Sequence, residues 1–116
     1  MENKTKIRLY LQQDCKTAYT QQDIDLHTLI FDDKTYEIDH IIPISVSLDD
    51  SLTNKVLASR LENQQKGNLT PMMAYLKGKF TGGNLEKYKL FVSSNKNFNG
   101  KKEIIYLLNK ILQKKM

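Results

Sequence analysis

The segment YEIDHIIPIS, residues 36–45, places an acid and a histidine side by side within an apolar run. Six of its ten residues are apolar, yet Asp39 and His40 occupy its middle. Burying such polar groups costs free energy unless something uses them. A histidine, with an ordinary pKa of about 6.5, can take a proton from water near neutral pH. His40 is therefore the candidate general base of a hydrolytic site, and Asp39 is a candidate metal-binding carboxylate.

Amide and amine side chains downstream could supply the rest of what phosphodiester hydrolysis requires. A hard divalent cation would stabilise the charge on the phosphoryl oxygens. Mg²⁺ prefers oxygen ligands and keeps several waters, so one carboxylate and one amide oxygen are a sufficient protein set. Asn63 is the candidate amide ligand, and spacing alone leaves Asn54 open as the alternative. Lys66 follows Asn63 by three residues, so on a helix it shares roughly one face with Asn63 and could meet a phosphate.

The same residues have structural interpretations that their spacing does not exclude. Asp39 and His40 could form a buried ion pair with each other. Lys66 could be an ordinary solvated lysine. Asp49 and Asp50 are predicted to form a turn, because aspartates are frequent turn residues.

The elements that must position these residues follow from periodicity and from glycine and proline positions. Residues 36–42 are rich in β-branched side chains and predict a strand that ends near Pro43, since proline cannot donate to a ladder. Neighbours on a strand point to opposite faces, so Asp39 and His40 can serve one site only at a strand end or in a distorted turn. The other predicted elements are a helix over 6–13, a loop over 43–52, a strand over 55–59, a helix over 60–68 stopped by Gly67, a helix from Thr70 to about Lys77, and amphipathic helices over 84–94 and 101–112.

Length and charge limit the classes of protein to consider. The 116 residues suit one domain with a modest core. A single cysteine excludes an internal disulfide, and no apolar run approaches the roughly 20 residues that span a bilayer. Residues 1–50 carry a net charge of −5 and residues 51–116 a net charge of +10. This asymmetry favours a polyanion held near a metal, although a lysine-coated surface explains it equally well.

Four motifs between residues 36 and 71 carry a resemblance to a known family. They read DHIIP, SxxNKVL, ENQxKGN and TP, in that order. Together they resemble the HNH nuclease domain of the CRISPR type II RNA-guided DNA endonucleases, the Cas nine family. Beyond residue 72 the resemblance thins to general helical character.

The resemblance implies a fold and a set of catalytic residues. The fold would be α+β, with a ββα-metal (HNH) core at about 36–68, in which a short two-stranded antiparallel sheet is surrounded by helices. His40 would be the general base. Asp39 and Asn63 would bind Mg²⁺, with Mn²⁺ as a substitute.

The resemblance also implies supporting residues and partners. Asn54 would support the loop, whereas Glu37 and Lys66 would lie behind the metal ligands or face the substrate. Ile44 stands where relatives often carry a polar or basic residue, which puts one local DNA contact in question. The partners would be a DNA target strand paired to guide RNA and the remaining domains of a bacterial cytoplasmic effector.

Three interpretations of the chain as a whole follow. The first is that residues 1–116 form a single HNH domain excised from a larger multidomain effector. The second is a free-standing HNH endonuclease of the homing or toxin type, which would need its own DNA-recognition element. The third is a binding module, a domain that serves as the target of a partner such as an anti-CRISPR inhibitor protein that covers the site.

Overall fold

The computed structural model describes residues 2–95 together with residues 103, 106–108, 110 and 112–113. In chain order, the elements are α1 (Glu2–Gln12), α2 (Leu26–Phe31), β1 (Tyr36–His40), α3 (Ile44–Ser47), β2 (Lys55–Ser59), α4 (Arg60–Lys66), α5 (Pro71–Leu76) and α6 (Leu85–Ser94), with a 3-10 helix, Leu52–Asn54, leading into β2. Half of the helix predicted over 101–112 lies outside the described residues. Within the described part of the chain, no helix has the length and apolar character needed to cross a membrane.

The two strands form one antiparallel sheet, which confirms the α+β fold. Their register runs from Tyr36 opposite Ser59 to His40 opposite Lys55. The second strand covers the residues predicted for it, 55–59. Because α4 begins directly after β2, the chain runs strand, loop, strand, helix through the segment that carries the motifs.

The sheet separates two apolar clusters because side chains alternate between the faces of a strand. Val56 and Ala58 belong to the larger cluster, together with Tyr19. Leu57, between them, packs into the smaller cluster with Tyr36 and with side chains from α1 and α2. The middle of β2 is therefore buried on both faces by different elements, whereas most of β1 is only partly buried.

The side chain of Gln13 fastens the end of α1 to the sheet. Its Oε1 accepts a hydrogen bond from the Leu57 N–H at 2.7 Å, and its Nε2 donates to the Leu57 carbonyl at 2.9 Å. The Gln13 residue is only 1% exposed. A buried amide must satisfy its polar atoms, so this pairing fixes α1 against β2.

Helix α4 has well-defined ends. The Ser59 hydroxyl accepts from the Glu62 N–H at 3.0 Å while Glu62 Oε1 accepts from the Ser59 N–H at 2.7 Å, which is a reciprocal capping box. The helix ends where it was predicted to end, at Gly67, whose φ of 57° suits glycine. These caps hold the helix that carries Asn63 and Lys66.

The first strand is shorter than predicted, and the predicted loop contains a helix. β1 ends at His40 rather than at residue 42. The Ile41 N–H still binds the Asn54 carbonyl at 2.9 Å, in the register of the sheet, but the N–H and carbonyl of Ile42 bind the Asn54 side chain instead of a strand. The four-residue α3 then follows Pro43, where a loop was expected.

Candidate active site

Asp39 and His40 line one pocket of about 190 Å³ at the end of β1. Asp39 lies opposite Val56 and shares the sheet face that is covered by the larger cluster. His40 follows it and belongs to the other face. Because β1 ends at His40, the two residues lie at the edge of the sheet, where both line the same pocket.

A buried lysine holds Asp39 in place. The Lys66 residue is 1% exposed, and its Nζ lies 3.1 Å from Asp39 Oδ2. The same Nζ donates to the His40 carbonyl oxygen at 2.8 Å. The interpretation of Lys66 as a solvated lysine is therefore wrong. The suggested ion pair between Asp39 and His40 is wrong as well, because Asp39 pairs with Lys66.

Tyr19 completes the surroundings of Asp39. Its hydroxyl donates to Asp39 Oδ2 at 2.5 Å. Burial, followed by the negative charge of Asp39, raises the pKa of Tyr19 well above its usual value, so the hydroxyl keeps its proton. Lys66 Nζ lies 5.7 Å from the centre of the Tyr19 ring, within the range of a cation–π contact. Sequence reasoning missed Tyr19, which lies outside the four motifs.

The oxygen atoms that these contacts leave open fit a hard divalent cation. The Tyr19 hydroxyl and the Lys66 ammonium both reach Asp39 Oδ2, so Asp39 Oδ1 accepts no hydrogen bond from any described residue. Asn63 donates through Nδ2 to Glu37 Oε2 at 2.8 Å, and its Oδ1 likewise accepts none within the described part of the chain. Carboxylate and amide oxygens are donors that suit Mg²⁺ and Mn²⁺. Among the described residues, no group of three or more His, Cys, Asp or Glu side chains could hold a metal ion.

Asn63 lies beside the pocket rather than in its lining. It precedes Lys66 by one helical turn on α4, and its partner Glu37 shares the β1 face of Asp39. The Arg60 Nε lies 3.7 Å from Glu37 Oε1 on the other side of that carboxylate. Helix α4 therefore presents three side chains to the two carboxylates of β1, Arg60 and Asn63 to Glu37 and Lys66 to Asp39. The structure brings Asp39, His40 and Lys66 together around the pocket. Asn63 does not line the pocket and binds the neighbouring carboxylate of Glu37.

Asn54 is fully buried and binds the backbone of the loop after β1. Its Oδ1 accepts from the Ile42 N–H at 3.1 Å. Its Nδ2 donates to the Ile42 carbonyl at 3.0 Å and to the Asp49 carbonyl at 2.9 Å. The amide is thus engaged on both its oxygen and its nitrogen. These contacts hold the loop at the start of β2 and so determine where β1 ends.

Asp50, predicted only as a turn former, contacts the candidate base. Its Oδ1 lies 2.7 Å from His40 Nε2 and 3.4 Å from Lys55 Nζ. The hydrogen bond to His40, followed by the contact with Lys55, lowers the pKa of Asp50 from its usual value. The neighbouring Asp49 makes the turn, accepting from the Ser51 N–H at 2.9 Å. Nothing in the sequence around Asp49 and Asp50 distinguishes the residue that makes the turn from the residue that contacts His40.

Comparison with known proteins gives matches at the levels of family model, sequence and structure. A family model described as an HNH endonuclease matches residues 17–72, a span that includes Tyr19. The chain is 39% identical over 110 residues to the CRISPR-associated endonuclease Cas9 1 of Streptococcus thermophilus, covering 95% of this chain and 10% of that protein. It is 48% identical over 66 residues to the CRISPR-associated endonuclease Cas9 of Staphylococcus aureus, covering 57% of this chain and 6% of that protein.

A solved structure is also similar. The crystal structure of Streptococcus thermophilus Cas9 in complex with the AGAA PAM matches with a TM-score of 0.78 and 40% identity, over 88% of this chain and 10% of that chain. The chain therefore spans a tenth or less of the length of these relatives.

Proposed function

Because this chain is an HNH endonuclease domain similar to those of Cas9 proteins, we propose that it cuts the DNA strand paired to a guide RNA, using His40 to activate the attacking water. The observation that carries the proposal is the shared pocket of Asp39 and His40. Within that pocket, one oxygen of Asp39 is open to a ligand while the other is held by Tyr19 and Lys66.

His40 takes the proton that the water loses as it attacks phosphorus. A general base must reach the water directly, and His40 lines the pocket in which a phosphate would sit. Its backbone is fixed by the Lys66 ammonium on its carbonyl oxygen. Lys66 therefore orients both residues of the pair, Asp39 through its carboxylate and His40 through its main chain.

Asp39 and Asn63 would hold Mg²⁺, or Mn²⁺ as a substitute, through one carboxylate oxygen and one amide oxygen. When bound, the ion stabilises negative charge on the phosphoryl oxygens and on the leaving oxygen. Glu37 accepts from Asn63 Nδ2 and so leaves Oδ1 as the atom of that amide that can face a cation. Asn54 acts on the loop and not on the metal, since its Oδ1 already accepts from Ile42.

The substrate and partners follow from the relatives and from charge. The relatives are CRISPR-associated endonucleases, and one was solved in complex with its PAM. Residues 51–116 carry 13 Lys and Arg against 3 Asp and Glu, and such an excess attracts the phosphates of a nucleic acid. The guide RNA, the remaining domains of the effector and the bacterial cytoplasm complete the proposed setting.

The two histidines of the chain provide a matched test. His40→Ala should abolish nicking of the guide-paired strand by the complete guide-loaded effector, at unchanged DNA affinity. His27→Ala removes an exposed imidazole that packs beside Phe31, at 4.7 Å between ring centres, and should cut at the wild-type rate. Nicking of the guide-paired strand at the wild-type rate by His40→Ala would overturn the assignment of the base.

A further inference from the structure

The ring of His40 has a partner that lies ten residues further along the chain. Nε2 of His40 is 2.7 Å from Asp50 Oδ1, and this is the contact that the structure records for the His40 ring. Lys55, which lies opposite His40 in the sheet register, has its Nζ 3.4 Å from the same Asp50 oxygen. The carboxylate is thus held between the imidazole and an ammonium group that both belong to the sheet.

The loop around Asp50 is held in place by hydrogen bonds of other residues. Asn54 binds the carbonyl of Asp49, and the Asp49 carboxylate accepts from the N–H and the hydroxyl of Ser51 at 2.9 and 2.6 Å. The turn is therefore closed by the residues on either side of Asp50. The side chain of Asp50 is left for His40 and Lys55.

The contact has a chemical consequence for the imidazole. An ionised carboxylate can only accept a hydrogen bond, so the nitrogen that faces it must carry a proton. The Nε2–H tautomer leaves Nδ1 without a proton, and an unprotonated ring nitrogen is what a general base requires. A carboxylate that orients an imidazole in this way is a recurring arrangement in hydrolytic sites.

We propose that Asp50 is a positioning residue for His40, which fixes the ring orientation and its Nε2–H tautomer so that Nδ1 serves as the base. This inference rests on the proposed function of His40. Asp50 touches neither the water nor the phosphate and acts only through the imidazole. Because the Asp50 side chain is 66% exposed, its effect should be well below that of a buried carboxylate in such an arrangement.

The test compares Asp50→Ala and Asp50→Asn with Asp49→Asn, which removes the same charge one residue away and keeps an oxygen for Ser51. In the complete guide-loaded effector, Asp50→Ala should lower the single-turnover nicking rate about 10-fold at unchanged DNA affinity. The rate of Asp50→Asn should lie between those of Asp50→Ala and the wild type. Asp49→Asn should nick at the wild-type rate.

A spectroscopic readout separates positioning from a structural role. Nitrogen NMR shifts of the His40 ring, recorded on the 116-residue chain at a pH where the ring is neutral, should show the pure Nε2–H tautomer. In Asp50→Ala the shifts should move toward those of a mixture of tautomers. A rate loss with unchanged His40 shifts, an equal loss in Asp49→Asn, or wild-type nicking by Asp50→Ala would each overturn the inference. If His40→Ala abolishes nicking while Asp50→Ala does not reduce it, only this inference fails; if His40→Ala nicks normally, the proposed function itself fails.

Discussion

Replacing Lys66 with methionine should destabilise the fold far more than an ordinary lysine substitution does. Lys66 is 1% exposed and its partner Asp39 is 14% exposed, so the variant would leave a carboxylate buried without its cation. Removing one partner of a buried pair costs about 3–5 kcal/mol. The lower end applies because the Tyr19 hydroxyl still donates to Asp39. We expect a loss of about 3 kcal/mol, which for a chain of this length lowers the melting temperature by about 12 °C.

Thermal and urea unfolding followed by circular dichroism would measure this loss. The control is Lys89→Met, which breaks a surface pair with Glu86 on α6 and should cost less than about 0.5 kcal/mol. Adding Asp39→Asn to Lys66→Met should restore at least about 1 kcal/mol, because the charge left behind is removed. Equal losses in Lys66→Met and Lys89→Met would refute the reasoning, as would a double variant less stable than Lys66→Met alone.

Two further predictions concern the metal and the pH dependence. Asn63→Ala should weaken Mg²⁺ binding more than Asn54→Ala does in an NMR titration. Asn54→Ala should instead lose about 2 kcal/mol of stability, because three hydrogen bonds to the backbone lose their side-chain partner. Weaker Mg²⁺ binding by Asn54→Ala than by Asn63→Ala would exchange the two roles. The pKa of Asp50 is lowered from 3.8 by folding, so its contribution to stability is present above pH 3.8 and is lost as the pH falls through the lowered value. Urea unfolding across that range should show Asp50→Asn less stable than wild type at neutral pH and equal to it in acid; a gap that persists in acid would contradict the assignment.

Elements fixed by local chemistry were predictable from the sequence. β2 covers the segment 55–59 predicted for it, and α4 ends at Gly67. α5 begins at Pro71 after the side chain of Thr70 caps its first turn, as the Thr-Pro pair predicted. In each case the deciding contact lies within a few residues of the signal. The same locality explains why Asp39 and His40 could be recognised as a pair before their surroundings were known.

Contacts between distant segments were not predictable. Nothing near Lys66 indicates that it is buried, because its partners His40 and Asp39 lie 26 and 27 residues away on β1. Tyr19 reaches Asp39 across 20 residues, from a polar segment without a motif. The ladder ends beyond Ile41 because the Asn54 side chain binds the backbone of Ile42, whereas the apolar residues there favoured a longer strand. Candidate chemical groups could therefore be named from the sequence, whereas the distant residues that hold them could not.

The way β2 is packed also governs how the chain behaves beside other copies. An uncovered strand edge offers its N–H groups to any neighbouring strand and invites aggregation. Alternate N–H groups of β2 point away from β1, and each has an acceptor within the chain: that of Lys55 binds the Leu52 carbonyl, that of Leu57 binds Gln13 and that of Ser59 binds Glu62. With each of these three donors already bound, the outer edge of β2 offers another chain's strand little to pair with, so the sheet resists growth on the β2 side.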